Sequence, residues 1–153
     1  MDSPRLQVVP ATSAALVAVG VSHRTAPVAF RERLALLGPA AAELLAEAVE
    51  HPTVSEAVTL ATCNRTELYI AAADPALGER IALALLARRA GVPPAVLRRH
   101  GYVLRGAEVA GYLFTVAAGL DSAVVGESQI LRGPRKRSEM VEARDERKRP
   151  RPR

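Results

Sequence analysis

An α+β fold of the ferredoxin-like kind, β-α-β-β-α-β with an antiparallel sheet and helices on one face, is the class this sequence predicts. Three observations carry it. Short Val-rich runs alternate with longer Ala/Leu-rich runs of helical period, in the order strand, helix, strand, strand, helix, strand. Pro and Gly stand at the joints between those runs rather than inside them. Apolar residues make up 49% of the 153, against 24% charged, which is enough hydrophobic surface for a packed core.

Residues 1–14, with Pro4 and Pro10, read as a leader. Ala15–Ser22 (ALVAVGVS) is short and Val-rich, and the polar Ser22-His23-Arg24-Thr25 stops it: a buried strand. Pro27 then starts a helix carrying Phe30-Arg31-Glu32-Arg33-Leu34. Pro39–Glu50 begins with Pro at a helix N-terminus, places Leu44, Leu45 and Ala48 on one face, and is ended by Pro52. Val54–Ala61 and residues 66–73 are β-prone runs joined by Thr62-Cys63-Asn64-Arg65, an antiparallel pair with a short loop. Pro75–Ala90 is a second amphipathic helix, with Leu77, Ile81, Leu85 and Leu86 at helical spacing and Gly91 closing it. Residues 92–100 extend that helix or form a separate turn. Residues 101–105 supply the last strand, and residues 106–120 a further helix with Val109, Leu113, Val116 and Ala117 at core spacing. No internal repeat is visible.

Composition excludes several classes of function. Aromatics are 3% with no Trp, which argues against a stacking platform for single-stranded nucleic acid. A single Cys excludes an internal disulfide framework and a CxxC zinc site, and no other metal site is expected. No apolar run approaches the ~20 residues of a membrane helix, and no secretory signal pattern is present. The expectation is a soluble cytoplasmic protein without a membrane partner. The net charge of +5 is unevenly placed: residues 1–131 carry 11 Lys+Arg and 12 Asp+Glu, whereas residues 132–153 carry 10 and 4. In that last stretch Met140, Val141 and Ala143 are almost the only apolar residues, so a frayed solvated helix or a disordered basic tail is expected. A basic tail attracts phosphate without selecting a sequence.

Three segments have side chains suited to chemistry. Cys63 is the only thiol and lies in a predicted loop, with Arg65 two residues away and Glu67 four away. A nearby cation raises the thiolate fraction, a thiolate attacks ester carbonyls, and Arg grips a carboxylate in bidentate fashion. The bland alternative is a small inert residue at a strand end, the commoner fate of a lone Cys. Ser22-His23-Arg24-Thr25-Ala26-Pro27 follows the first strand and either meets the Cys63 loop at the sheet's end or serves as local turn chemistry. Gly119-Leu120-Asp121-Ser122 and Gly126-Glu127-Ser128-Gln129 form a glycine-punctuated polar stretch, suited to close backbone approach or to a capped helix turn.

Together these segments resemble one family. SHRTAPVAFRERL, ATCNRTELY and VAAGLDSAVVGESQIL, in this order and at these separations, are similar to the N-terminal catalytic domain of glutamyl-tRNA reductases. The resemblance covers residues 15–131. It implies reduction of glutamyl-tRNA to glutamate-1-semialdehyde in tetrapyrrole (porphyrin) synthesis, with NADPH as hydride donor. Cys63 matches the family nucleophile that forms a thioester and expels tRNA. Thr62, Asn64 and Arg65 match the substrate-binding loop, with Arg65 as carboxylate anchor, and Ser122, Glu127, Ser128 and Gln129 match the other glutamate-binding positions. Glutamate-1-semialdehyde aminomutase is the partner that the resemblance suggests.

The chain departs from the family pattern in two places. A family histidine two residues after the tyrosine of the last strand has Leu104 in its place, and leucine neither exchanges a proton nor donates a hydrogen bond. His100, four residues back, would lie roughly 13 Å away along a strand. After Leu131 the sequence leaves the pattern, with no GxGxxG loop for NADPH and no dimerisation region. A chain truncated by frameshift is the expectation, able to form and hydrolyse the thioester without reducing it. The alternatives are a catalytically silent RNA-binding module, its basic tail holding the RNA, and a non-functional truncated product.

Overall fold

The computed structural model describes residues 14–36 and 38–119. Its elements run β1 (Ala15–Ser22), α1 (Val28–Arg33), α2 (Pro39–Glu50), β2 (Val54–Ala61), β3 (Arg65–Ala72), α3 (Pro75–Ala90), α4 (Pro94–His100), β4 (Tyr102–Arg105) and α5 (Ala107–Ala117). The strands form one sheet in the order β2-β3-β1-β4, with every neighbouring pair antiparallel. This is the expected ferredoxin-like plait: β1 and β2 run the same way because α1 and α2 return the chain between them, and β3 inserts in the gap.

Side-chain alternation assigns each strand two faces. On one face Val17, Val19 and Val21 of β1 join Leu68 and Ile70 of β3 under the helices, in a core with Phe30, Leu34, Leu44, Leu45, Ile81, Leu85, Leu86 and Leu97. On the other face Ala18, Leu60 and Tyr69 pack against Val109 and Val116 of α5. The helices of the plait lie on one face as expected, α1 to α4 forming that layer, and the further helix α5 covers part of the opposite face. A strand with apolar residues at both parities, such as β1, is buried on both sides. In β2 a register shift between Val54 and Glu56 lets both Val54 and Ala57 face the helices although they are three residues apart.

Helix ends follow local chemistry. The Asp74 carboxylate accepts the backbone N–H groups of Ala76 (2.9 Å) and Leu77 (3.2 Å) at the start of α3. Gly91 closes α3 in the left-handed region at φ 64°. Of the α3 residues expected on one face, Ile81, Leu85 and Leu86 are buried and Leu77 is half-buried, while Ala82, Leu83 and Ala87 are buried too, because neighbouring helices flank α3 as well as the sheet. Residues 94–100 are a separate helix. His100 ends that helix, with its ring against Phe30 at 4.6 Å, which corrects its expected place on the strand of Leu104. Among the described residues no helix is long and apolar enough to cross a membrane. The leader of residues 1–13, residues 120–131 and the basic tail lie outside the described residues.

Candidate active site

The link from β2 to β3 is Thr62-Cys63-Asn64, one residue shorter than expected, because Arg65 already pairs with Ser22 as the first residue of β3. The loop closes on itself: the Thr62 N–H donates to the Arg65 carbonyl (2.8 Å), and the Asn64 N–H donates to Thr62 Oγ1 (3.2 Å). Cys63 is exposed at its tip.

Two external contacts pin this loop. The His23 N–H donates to the Asn64 carbonyl (2.8 Å), so the segment after β1 does meet the Cys63 loop. The Arg31 guanidinium, on α1, donates from Nη1 to the Cys63 carbonyl (2.5 Å). Local turn chemistry operates in the same segment: Thr25 Oγ1 accepts the Ser22 N–H (3.0 Å) and the Ser22 carbonyl accepts the Ala26 N–H (2.9 Å). The two roles weighed for residues 22–27 are therefore both present. Among the described residues the buried His23 Nδ1 and Arg31 Nε atoms lack a hydrogen-bond partner, and both belong to residues that hold the loop.

Arg65 lies where its strand parity sends it, on the α5 face of the sheet, and is 1% exposed. Its guanidinium donates to Glu67 Oε1 (3.2 Å) and to the Tyr112 hydroxyl (2.6 Å). Glu67, fully buried, is the hub of this face. Its carboxylate accepts hydroxyls of Tyr69 (2.6 Å) from β3, Tyr112 (2.7 Å) from α5, and Tyr102 from β4. The Tyr102 and Tyr112 hydroxyl oxygens lie 3.0 Å apart, so either proton can turn to the other hydroxyl instead of to Glu67. A buried carboxylate is tolerable only with such saturation by donors. Burial first, and then the Glu67 charge, push the Tyr69 and Tyr102 hydroxyls well above the ordinary tyrosine range. Burial raises Tyr112 as well, with the neighbouring Tyr102 hydrogen bond opposing it. All three therefore remain protonated donors at neutral pH.

Space for Glu67 comes from the strand beside it. Gly20 of β1 pairs with Glu67 on one side and Tyr102 on the other. A Cβ at Gly20 would stand 2.7 Å from Glu67 Cγ and 3.1 Å from the Tyr102 hydroxyl. Leu104, two residues from Tyr102 on the same strand face, packs with the apolar cluster of Ala18, Tyr69 and Val109. Neither Glu67, Tyr69, Tyr102, Tyr112 nor Arg31 was among the expected site residues. A signal existed: Arg65, Glu67 and Tyr69 recur at every second position, which places three polar groups on one strand face.

The structure thus joins Thr62, Cys63, Asn64 and Arg65 with residues 23 and 31. Ser122, Glu127, Ser128 and Gln129 lie outside the described residues. A groove of about 260 Å³ between α2 and α3, lined by Leu44, Glu47, Leu85 and Arg88 among others, shares no residue with the Cys63 loop. Among the described residues no group of three or more His, Cys, Asp or Glu side chains is placed to hold a metal ion.

Comparison with known proteins places these features in a family. Residues 19–146 match the domain described as "Glutamyl-tRNAGlu reductase, N-terminal domain", a stretch that continues past Leu131. The glutamyl-tRNA reductase of Salinispora arenicola is 50% identical over 116 residues, covering 76% of this chain and 26% of that protein. That of Synechococcus sp. is 41% identical over 128 residues, covering 84% and 30% respectively. The solved glutamyl-tRNA reductase of Methanopyrus kandleri superposes with a TM-score of 0.55 at 31% identity, over 73% of this chain and 24% of that one. The chain spans less than a third of the length of these relatives. The match over most of its residues, in sequence and in fold, shows that it belongs to the glutamyl-tRNA reductase family, whose N-terminal domain it carries.

Proposed function

We propose that this chain carries the thioester-forming half of glutamyl-tRNA reduction, with Cys63 as nucleophile. The observation that carries this is an exposed thiol at the tip of a loop held from outside by Arg31 and His23, within the family's motif. The Cys63 sulfur attacks the carbonyl carbon of the glutamyl ester, the bond from that carbon to the tRNA ribose oxygen breaks, and the leaving oxygen takes up a proton. The product is a Cys63 thioester of glutamate and free tRNA. Thr62, Asn64 and Arg65 line the substrate loop, and Arg65 is the carboxylate anchor, its guanidinium preset by Glu67 and Tyr112. Ser122, Glu127, Ser128 and Gln129 complete the glutamate site by family resemblance.

The complete family reaction uses NADPH to release the aldehyde in tetrapyrrole synthesis, with glutamate-1-semialdehyde aminomutase as its consumer in the cytoplasm. The described residues do not fit that cofactor. Neighbouring strands are all antiparallel, and none leads through a glycine-rich turn into a helix N-terminus of the dinucleotide-binding kind. The chemistry assigned to these residues therefore stops at the thioester and its hydrolysis to glutamate.

Mass spectrometry of Cys63 after mixing with glutamyl-tRNA is the test. A transient adduct of one glutamyl group, and deacylation lost in Cys63→Ser, are the expected results. An unmodified Cys63 together with deacylation unaffected by Cys63→Ser would overturn the proposal.

A further inference from the structure

Residues 1–131 are nearly neutral in sum, but among the described residues several arginines without an ion pair gather at one end of the sheet. The end of the sheet bearing Cys63 is where β1 and β2 finish and β3 begins. Helix α3 returns antiparallel to β3 and so finishes at that end too, beside α1. Two crossed contacts tie the junction: Arg33 Nη2 donates to the Gly91 carbonyl (3.3 Å) and Arg89 Nη2 to the Ala35 carbonyl (3.1 Å). Arg99 stands next to His100, whose ring packs on Phe30 of α1. Arg31, Arg33 and Arg89 thus bond neutral carbonyls, and no ion pair to a carboxylate is found for them among the described residues.

Three arginines outside that junction are ion-paired. Arg88 pairs with Glu47, and both Arg98 and Arg105 pair with Glu79. The carboxylates Glu56, Asp74, Glu79 and Glu108 belong to the opposite end, where β2 and α3 begin and β4 finishes. The end that bears the exposed thiol therefore holds Arg31, Arg33 and Arg89 without ion pairs among the described residues, against Glu32 on α1 and Glu43 on α2, a local cationic excess in a body whose charges nearly cancel.

We infer that the α1/α3 junction beside the Cys63 loop is the docking surface for a ribose-phosphate backbone: the acceptor arm of the RNA whose 3′ ester reaches Cys63. This deepens the proposed function and rests on it. Guanidinium groups that keep their charge and their outward N–H donors suit phosphate oxygens, and such contacts position an RNA without reading its bases.

Deacylated tRNA-Glu binding to the full chain, followed by fluorescence anisotropy across a salt series, tests this. Arg33→Glu/Arg89→Glu is expected to weaken binding at least about tenfold and to lower the slope of log affinity against log salt by roughly two. Arg33→Ala/Arg89→Ala, milder at the helix ends, shows the same sign. Arg80→Glu, an equal charge change per site in the other half of α3, leaves affinity nearly unchanged. Equal losses in the Arg80 and Arg33/Arg89 variants overturn the inference, since bulk charge would then explain binding. It is equally overturned if deleting residues 132–153 abolishes binding that the Arg33/Arg89 variants leave intact. A small alkyl ester of glutamate, acylating Cys63 without RNA, separates the two proposals. Its rate stays unchanged in the Arg33/Arg89 variants; if it fails in the parent chain while the tRNA affinities behave as stated, the thioester proposal falls and the docking surface stands.

Discussion

Replacing Gly20 by Ala adds one methyl group at the most crowded point of the α5 face. Its Cβ would sit 2.7 Å from Glu67 Cγ, 3.0 Å from the Thr66 carbonyl oxygen and 3.1 Å from the Tyr102 hydroxyl. Ordinary carbon–carbon contact needs ~3.5–4.0 Å, so Glu67 must retreat by roughly an ångström. It has little freedom to do so, because Tyr69, Tyr102, Tyr112 and Arg65 all bond its carboxylate. Overpacking of this kind costs about 1–3 kcal/mol. The usual gain from removing a strand glycine, about 0.5–1 kcal/mol, offsets only part of it. A net loss of about 1–2 kcal/mol corresponds to a fall in Tm of roughly 5–15 °C for a domain of this size. Gly111 is the control of opposite sign: it lies within α5, and a Cβ there would meet nothing within 4 Å. Gly111→Ala should therefore gain about 1 kcal/mol from helix propensity. Thermal melts by circular dichroism decide both. If Gly20→Ala is as stable as the parent, then Glu67 is not held as described and the hub is loose.

Asp74→Ala removes the acceptor for two N–H groups at the start of α3 and should cost about 1 kcal/mol in urea denaturation. At high pH the tyrosine cluster makes its own prediction. Because burial and the Glu67 charge hold Tyr69 and Tyr102 protonated in the folded state, the stabilisation is present below pH ~10, the unfolded value, and is lost as pH rises above it. Tyr102→Phe should flatten that alkaline limb. At low pH the sign reverses for Glu79. Burial alone would raise its pKa, but hydrogen bonds and charge from Arg105 and Arg98 outweigh burial and leave it lowered. Its stabilisation is thus present above the unfolded carboxylate value of ~4.3 and fades as pH falls through the folded one. An acid titration of Glu79→Gln followed by Tm should lack that component; an unchanged acid limb would mean that the Arg pairs are solvent-screened.

Local chemistry was enough to locate most elements. Ala15–Ser22, Pro39–Glu50, Val54–Ala61 and Pro75–Ala90 have the bounds that their Pro, Gly and polar flanks dictate, because those residues act on the backbone within a turn of themselves. The Cys63 motif was legible for the same reason, being contiguous. Residues 94–100 were not, since a seven-residue helix draws its stability from α3 beneath it rather than from its own sequence.

What the amino-acid order determined by itself is the plait, its hairpin and the thiol in the connecting loop. The second face of the sheet was decided only by tertiary structure. Gly20, Glu67, Tyr102 and Tyr112 come from three strands and a helix, and no spacing along the chain announces that they share one buried site. The same holds for the cationic end, where a count of charges over residues 1–131 comes to almost nothing. Sums along a chain carry no direction. Folding supplies the direction by bringing the ends of α1 and α3 to the Cys63 side and the carboxylates of Glu56, Asp74, Glu79 and Glu108 to the other.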